Sequence, residues 1–318
     1  MGLMTEYTPR QAAVDALELR QPKGLVPTFE LEFQLTQEAF GRSYHGGNVL
    51  QEATGKKRDD LYHENADLHV QVADTYDWNI IMITTGPGED GLRRTAHAIR
   101  DIVGDKYLLV AHGDATWSIP NGDTMVDFAE SFFTREDEMN ARADANVDGA
   151  LERAPKVLNG ALDGFALCAD YCFNDGPFFS PPMFRKHVTP YLARLVAGYR
   201  ELGAYVIKHT DGDIMPILDQ LVECNAHGLH SIDPQAGVDI AEVKRLYGDK
   251  VCLCGNVNCG LLQTGTDEEV IADATYSLKH GMPGGGFIFT TSNVAFKGMP
   301  LERYELIMDL RKKHGRYS

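Results

Sequence analysis

Short apolar runs recur along the chain, and each breaks up into polar residues at its C-terminal end. They read VPTFELEF (26–33), NIIMITTG (79–86), YLLVAHGDA (107–115), GFALCADY (164–171), YVIKHTDG (205–212), HGLHSIDP (227–234), KVCLCGNVN (250–258) and GGFIFTTSN (285–293). Rich in branched and aromatic residues and bounded by Gly, Asp, Asn or Pro, they predict strands. Segments of helical period fall between them: 93–104, two helices within 124–160, then 180–203, 213–225, 238–248 and 266–281. The ends carry matching signals. Ser180 precedes two prolines as a candidate N-cap, and Gly248 closes its helix.

Eight βα units of similar size predict a parallel sheet closed into an α/β fold, the (β/α)8 TIM barrel. An open doubly wound sheet is disfavoured, because no G-x-G-x-x-G loop follows the first strand. No Pro/Ser-rich linker interrupts the pattern, so residues 1–318 read as a single catalytic domain. An N-terminal helix over 8–20 precedes the barrel. The Gly-containing segment 43–65 reads as a βα excursion over the barrel mouth.

Polar strand ends converge on one mouth in such a barrel, and catalysis sits there. Here they supply Glu30 and Glu32, His112 and Asp114, Asp170 with Tyr171 and Asn174, and His209 with Asp211. His230 and Asp233, Asn256 and Asn258, and Thr291, Ser292 and Asn293 complete the set. Glu30 lies between Phe29 and Leu31, and Asp170 ends the apolar FALCAD. A carboxylate in such a run must be paired or protonated. Glu30, Asp170, His209 and Asp211 are therefore the catalytic candidates. Glu32, His112, Tyr171, Asn174, His230, Asn256 and Asn293 are candidates for holding substrate. Asp114 and Asp233 can equally cap helices, and His230 can equally be a core histidine.

The composition narrows the chemistry. A formal charge of −16 with no basic block, apart from the helix-end RKKHGR (311–316), argues against nucleic acid or anionic lipid as a partner. No apolar run is long enough to span a membrane, and the acidic N-terminus MGLMTEYTPRQAAVDALELR is not a secretory signal. The six cysteines sit mostly in apolar runs, which reads as reduced, buried thiols in a cytoplasmic protein. There is no P-loop, dinucleotide fingerprint, H-E-x-x-H or G-x-S-x-G. Acid/base chemistry, with or without a metal, remains.

VPTFELEFQLTQEAFG, ADYCFNDGPFFSPPMFRKHVTPYLARLV, KHTDGDIMPILDQLVECNAHGLHSIDP, LCGNVN and GGFIFTTSNVAFKGMPLERYELI resemble the uroporphyrinogen decarboxylase superfamily, over roughly residues 24–314. The resemblance implies a (β/α)8 barrel and one of two activities. True decarboxylases of the family carry Arg-Gln-Ala-Gly-Arg near the first strand, where this chain has Phe29-Glu30-Leu31-Glu32-Phe33. The other branch, similar in FELEFQLTQEAFG and HTDGDI, implies a corrinoid-dependent methyltransferase of the O-demethylase kind. Such an enzyme moves a methyl group from a small methoxylated aromatic to cobalamin on a small corrinoid-binding partner protein. Thiol-activating members bind zinc through His-x-Cys and a later Cys. Here those places read His209-Thr210-Asp211 and Ser292. The resemblance thus implies a harder metal or a weak zinc site on His209 and Asp211. The alternative is a lyase that decarboxylates a small aromatic or tetrapyrrole acid.

Overall fold

A computed structural model describes residues 7–318. Met1–Glu6, the start of the stretch judged not to be a signal, lies outside the described residues. Seven of the expected strands form: β1 Ile80–Ile83, β2 Leu108–His112, β3 Gly164–Leu167, β6 Tyr205–His209, β7 Gly228–Ser231, β8 Cys252–Val257 and β9 Phe287–Thr291. Between β3 and β6 the chain makes a small antiparallel hairpin, β4 Cys172–Phe173 and β5 Gly176–Pro177. The seven pair in parallel in the order β1-β2-β3-β6-β7-β8-β9, a curled sheet wrapped by helices.

The eighth strand, expected over 26–33, is not one. This segment touches both sheet edges through single bonds. Asn79 N donates to Thr28 O at 2.8 Å, and Phe289 N donates to Pro27 O at 2.9 Å. Two isolated parallel bridges, Thr28–Phe289 and Phe33–Ala295, add to these. Two features prevent regular pairing. Pro27 lacks an amide donor. The Thr28 amide is taken by the Asn79 side chain at 3.0 Å, where a ladder would offer a carbonyl. The sheet is therefore seven-stranded, with 26–33 laid along its two edges.

Helices Gly88–Val103, Met125–Thr134, Glu136–Leu158, Pro181–His187, Thr189–Glu201, Leu218–Glu223, Ile240–Tyr247 and Asp267–Gly281 fall where the helical period predicts them. Ser180 stands at the N-cap position, yet its side chain makes no capping bond. Asp267–Gly281 opens with a full capping box between Thr266 and Glu269. Arg311, in the last turn of Leu301–His314, does more than complement the helix dipole. It is 1% exposed and donates to Val26 O at 2.8 Å, tying the C-terminal helix to the irregular segment.

Alternation along the strands divides the core. Met82, Val110, Ala166, Ile207, Cys254 and Ile288 form an inner cluster with Phe29 and Leu31. Helix Pro9–Leu17 supplies Ala13, Ala16 and Leu17 to the same cluster, stopping the interior at one end. The opposite strand faces pack against the surrounding helices. All six cysteines are unpaired, and every one but Cys168 is buried. Of the segment 43–65, residues 47–52 form a short helix and residues 55–65 begin helix Gly55–Thr75. Residues 43–47, with Glu32 and 84–87, line a cavity of about 490 Å³.

Candidate active site

β6 leads into the candidate group. Its run buries Val206 and Ile207 and delivers His209 at the C-terminal end, 5% exposed. Two residues on, Asp211 turns back toward the same ring. Gly212 makes that turn possible: its φ is +85°, and a Cβ there would lie 2.5 Å from Phe173 O of the hairpin. Asp170, just past β3, completes the group. His209 Nε2 lies 3.7 Å from Asp170 Oδ1 and 3.7 Å from Asp211 Oδ1. That is too long for a hydrogen bond. It is close to the spacing of about 3.0–3.6 Å that neighbouring donors take around a first-row divalent ion. The three residues can offer one donor atom each within 4.8 Å of one another, and one imidazole with two carboxylates suits such an ion.

The surrounding bonds fix this group. Ser231 Oγ donates to Asp211 Oδ1 at 2.9 Å, Asn293 Nδ2 donates to Asp211 Oδ2, and Asp211 N donates to Asp170 Oδ1 at 3.2 Å. Ser231 and Ile232 sit at φ of +90° and +51°. For a β-branched residue that conformation is strained. Asn256 Nδ2, donating to Ile232 O at 3.0 Å, helps to hold it.

Burial, reinforced by the repulsion of Asp170, pushes Asp211 up to about 7. Burial also raises Asp170. His209 is held well below the usual imidazole range by burial and then by His230, Lys208 and His112, so its ring is neutral. His209 Nδ1 and His230 Nδ1 stand 2.8 Å apart, and one of the two carries the shared proton. His230 is pushed down to about 3 by burial, and its Nε2 is buried without a partner.

The other candidates divide. His112 lines a cavity of about 630 Å³ at the ends of β1, β2 and β3, with Cys168 and Ala169 next to Asp170. Glu32 accepts from Gln34 Nε2 at 2.6 Å and faces the smaller cavity. Glu30 stands apart from the triad. It is fully buried, with Oε2 accepting from the Thr291 hydroxyl at 2.5 Å and Oε1 from the Thr291 amide at 3.3 Å. Phe29 and Leu31 point inward, and the alternation sends Glu30 the other way. Burial pushes it up to about 8 against those two bonds.

Tyr171 is also turned away, its hydroxyl 2.5 Å from Thr116 Oγ1. Asn174 is exposed in the hairpin turn. His230, at 0% exposure, backs His209, its Nδ1 2.8 Å from that of His209. Asn256 is a backbone brace. Ser292 is buried against Cys259 N and has no place in the donor group, whose third member is Asp170. Asp233 caps as the sequence allowed, accepting from Gln235 N at 2.9 Å, and also takes Gly212 N at 3.1 Å. Ser231 and Lys208 were not anticipated. A lysine inside YVIKH was the available signal for the second.

Residues 166–314 match the family model described as Uroporphyrinogen decarboxylase (URO-D). A uroporphyrinogen decarboxylase of Aromatoleum aromaticum is 23% identical over 232 residues, 69% of this chain and 62% of that protein. The alignment thus spans less than two thirds of that relative. A methyltransferase from Methanosarcina mazei superposes with a TM-score of 0.76 at 16% identity, covering 97% of this chain and 99% of its own. The superfamily resemblance is borne out by these findings. No helix among the described residues is long and apolar enough to cross a membrane.

Proposed function

We propose that this chain of the uroporphyrinogen decarboxylase superfamily is a methyltransferase. It takes a methyl group from a small methoxylated aromatic compound and passes it to the reduced corrinoid of a separate small protein. The donor group His209, Asp170 and Asp211 carries this reading. Lys208, next to His209, is turned to the opposite face and paired with Asp114, so it offers no grip to a substrate carboxylate. A polyacid would also meet Glu32 where the decarboxylases have arginines. The fold shared with the Methanosarcina mazei methyltransferase supports transfer. The Aromatoleum aromaticum relative keeps decarboxylation as the second reading.

Cleaving the methyl–oxygen bond leaves charge on a phenolic oxygen, a poor leaving group unless that charge is met. Asp211, at about 7, has a proton to give near neutrality, and Ser231 and Asn293 hold its carboxyl in place. With Asp211 ionised instead, His209, Asp170 and Asp211 would hold a divalent ion, and that ion, in place of the proton, would polarise the same oxygen. The 630 Å³ cavity has room for the ring, against Ile83, Leu92, Val157 and Phe165 with His112 at its polar edge; the triad does not line it but adjoins it through Cys168 and Ala169, next to Asp170. The partner protein covers the mouth and keeps water out. Six unpaired cysteines suit a reducing cytoplasm.

The purified chain alone is expected not to turn over a methoxyarene. Adding a reduced corrinoid protein, or free cob(I)alamin in excess, should yield free phenol and methylated corrinoid in equal amounts. Carbon dioxide released from a carboxylated substrate without dependence on cobalt would establish the second reading instead.

A further inference from the structure

Lys208 interrupts the apolar run of β6, and it is 1% exposed. Lysine is almost never buried so deeply without a partner. Strand alternation sends it to the face opposite His209. Its Nζ donates to Ala169 O at 2.7 Å, Asp114 Oδ2 at 3.0 Å and Leu167 O at 3.2 Å. It also lies 4.0 Å from the centre of the Tyr171 ring. Asp114 in turn accepts from Ala169 N at 2.8 Å and Thr116 N at 2.8 Å.

These bonds meet at one place in the chain. β3 ends at Leu167, so residues 168–171 have left the ladder while still partly buried. Their backbone groups need other partners. The Lys208–Asp114 pair takes the carbonyls of Leu167 and Ala169 and the amide of Ala169. Asp170 N donates to Ser118 Oγ at 3.2 Å, and Tyr171 N donates to Thr210 Oγ1 at 2.9 Å. The residue this turn presents is Asp170, with its carboxylate oxygen 3.7 Å from His209 Nε2. Because Lys208 and His209 are neighbours on one strand, the turn is pinned to the same element that carries the imidazole. A buried ion pair is a poor source of stability compared with apolar residues of the same volume. Its worth here is geometric.

We propose that the Lys208–Asp114 pair is a positioning device, which sets the 168–171 turn so that Asp170 faces His209 and Asp211. This rests on the reading of those three residues as an ion-holding site. Neither Lys208 nor Asp114 touches the ion or the substrate methyl group; both act through Asp170.

The test is a cycle on the whole chain with Co(II) as the probe, read by calorimetry and visible absorbance. The double variant Lys208→Met/Asp114→Asn removes both charges together, so neither is left buried alone. It should weaken Co(II) binding by about 10- to 100-fold. In an Asp170→Asn background the same pair of changes should have almost no further effect, because nothing remains to be positioned. In an Asn293→Ala background the effect should persist in full. An undiminished effect in the Asp170→Asn background, or unchanged Co(II) affinity in the double variant, overturns the proposal. Should the double variant not fold, Asp114→Asn alone enters the same cycle. If the natural chain takes up no Co(II), or Asp170→Asn leaves its uptake unchanged, the ion-site reading fails on its own. A crystal structure of the variant then decides the positioning: a displaced Asp170 carboxyl upholds it, and an unmoved one overturns it.

Discussion

Replacing Glu30 by glutamine should stabilise the protein, and increasingly so as the pH rises. Glu30 is fully buried, and its two bonds to Thr291 do not offset the loss of water, so its pKa rises from 4.5 to about 8. The native state therefore holds this proton more tightly than the unfolded chain does. The stabilisation due to that proton is fully present below about 4.5 and is lost as the pH climbs through about 8. The distance between those values corresponds to about 5 kcal/mol once the carboxyl is ionised in both states. Local relaxation and water entry will reduce it, so about 2–4 kcal/mol is the range to expect.

Glutamine has the shape of the protonated acid. Its carbonyl can accept from the Thr291 amide and its NH2 can donate to the Thr291 hydroxyl, and no proton is at stake. Urea unfolding of the natural chain and of Glu30→Gln should therefore give similar midpoints near pH 5. By pH 9 the curves should separate, with the variant more stable by about 2–4 kcal/mol. Turnover of the variant should stay within about twofold, because Glu30 is outside the triad. Parallel stability profiles from pH 5 to 9 would refute the buried, protonated carboxyl. A hundredfold loss of turnover would return Glu30 to the catalytic group.

Two further outcomes follow from the triad. His209→Ala should fold with a thermal midpoint within a few degrees of the natural chain yet lose about 100-fold or more in turnover; near-normal rates in a folded variant would remove His209 from the mechanism. Because Asp211 is protonated below about 7, zinc affinity should rise with pH up to that value and level off above it, with proton release detectable in unbuffered titration; an affinity flat from pH 5 to 8 would show that Asp211 is not a ligand.

The strands were legible because each apolar run is bounded by turn residues, and seven of the eight became strands. The run 26–33 looked no different. It fails as a strand in part at Pro27, which the run itself shows, and in part through the Asn79 side chain, more than forty residues away in sequence and invisible in the local pattern. The polar strand ends also pointed to one end of the sheet. His209, Asp211 and Asp170 do meet there. What could not be read was the facing of each polar residue. A parallel sheet covered by helices is apolar on both sides, so its strands lack the in/out alternation that would reveal phase. FELEF and YVIKH each mix the two faces. Glu30 and Lys208 therefore looked like site residues or filler, and both lie on the helix side.

Local rules break at one further place, and the break is instructive. HSIDP reads as an ordinary strand end, with nothing to suggest left-handed backbone at Ser231 and Ile232. Isoleucine does not choose that conformation; the surroundings must impose it. Two bonds account for its persistence: Asn256 Nδ2 holds Ile232 O, and Ser231 Oγ reaches Asp211. The strained pair turns the end of β7 toward β6, which lets a serine orient the carboxyl whose protonation changes near neutrality. Asn256, named from the sequence as a substrate contact, thus acts one step removed, through the backbone that sets Ser231. Where local preference and tertiary structure disagree in this way, the disagreement points to the same candidate group that the donor atoms of His209, Asp170 and Asp211 form.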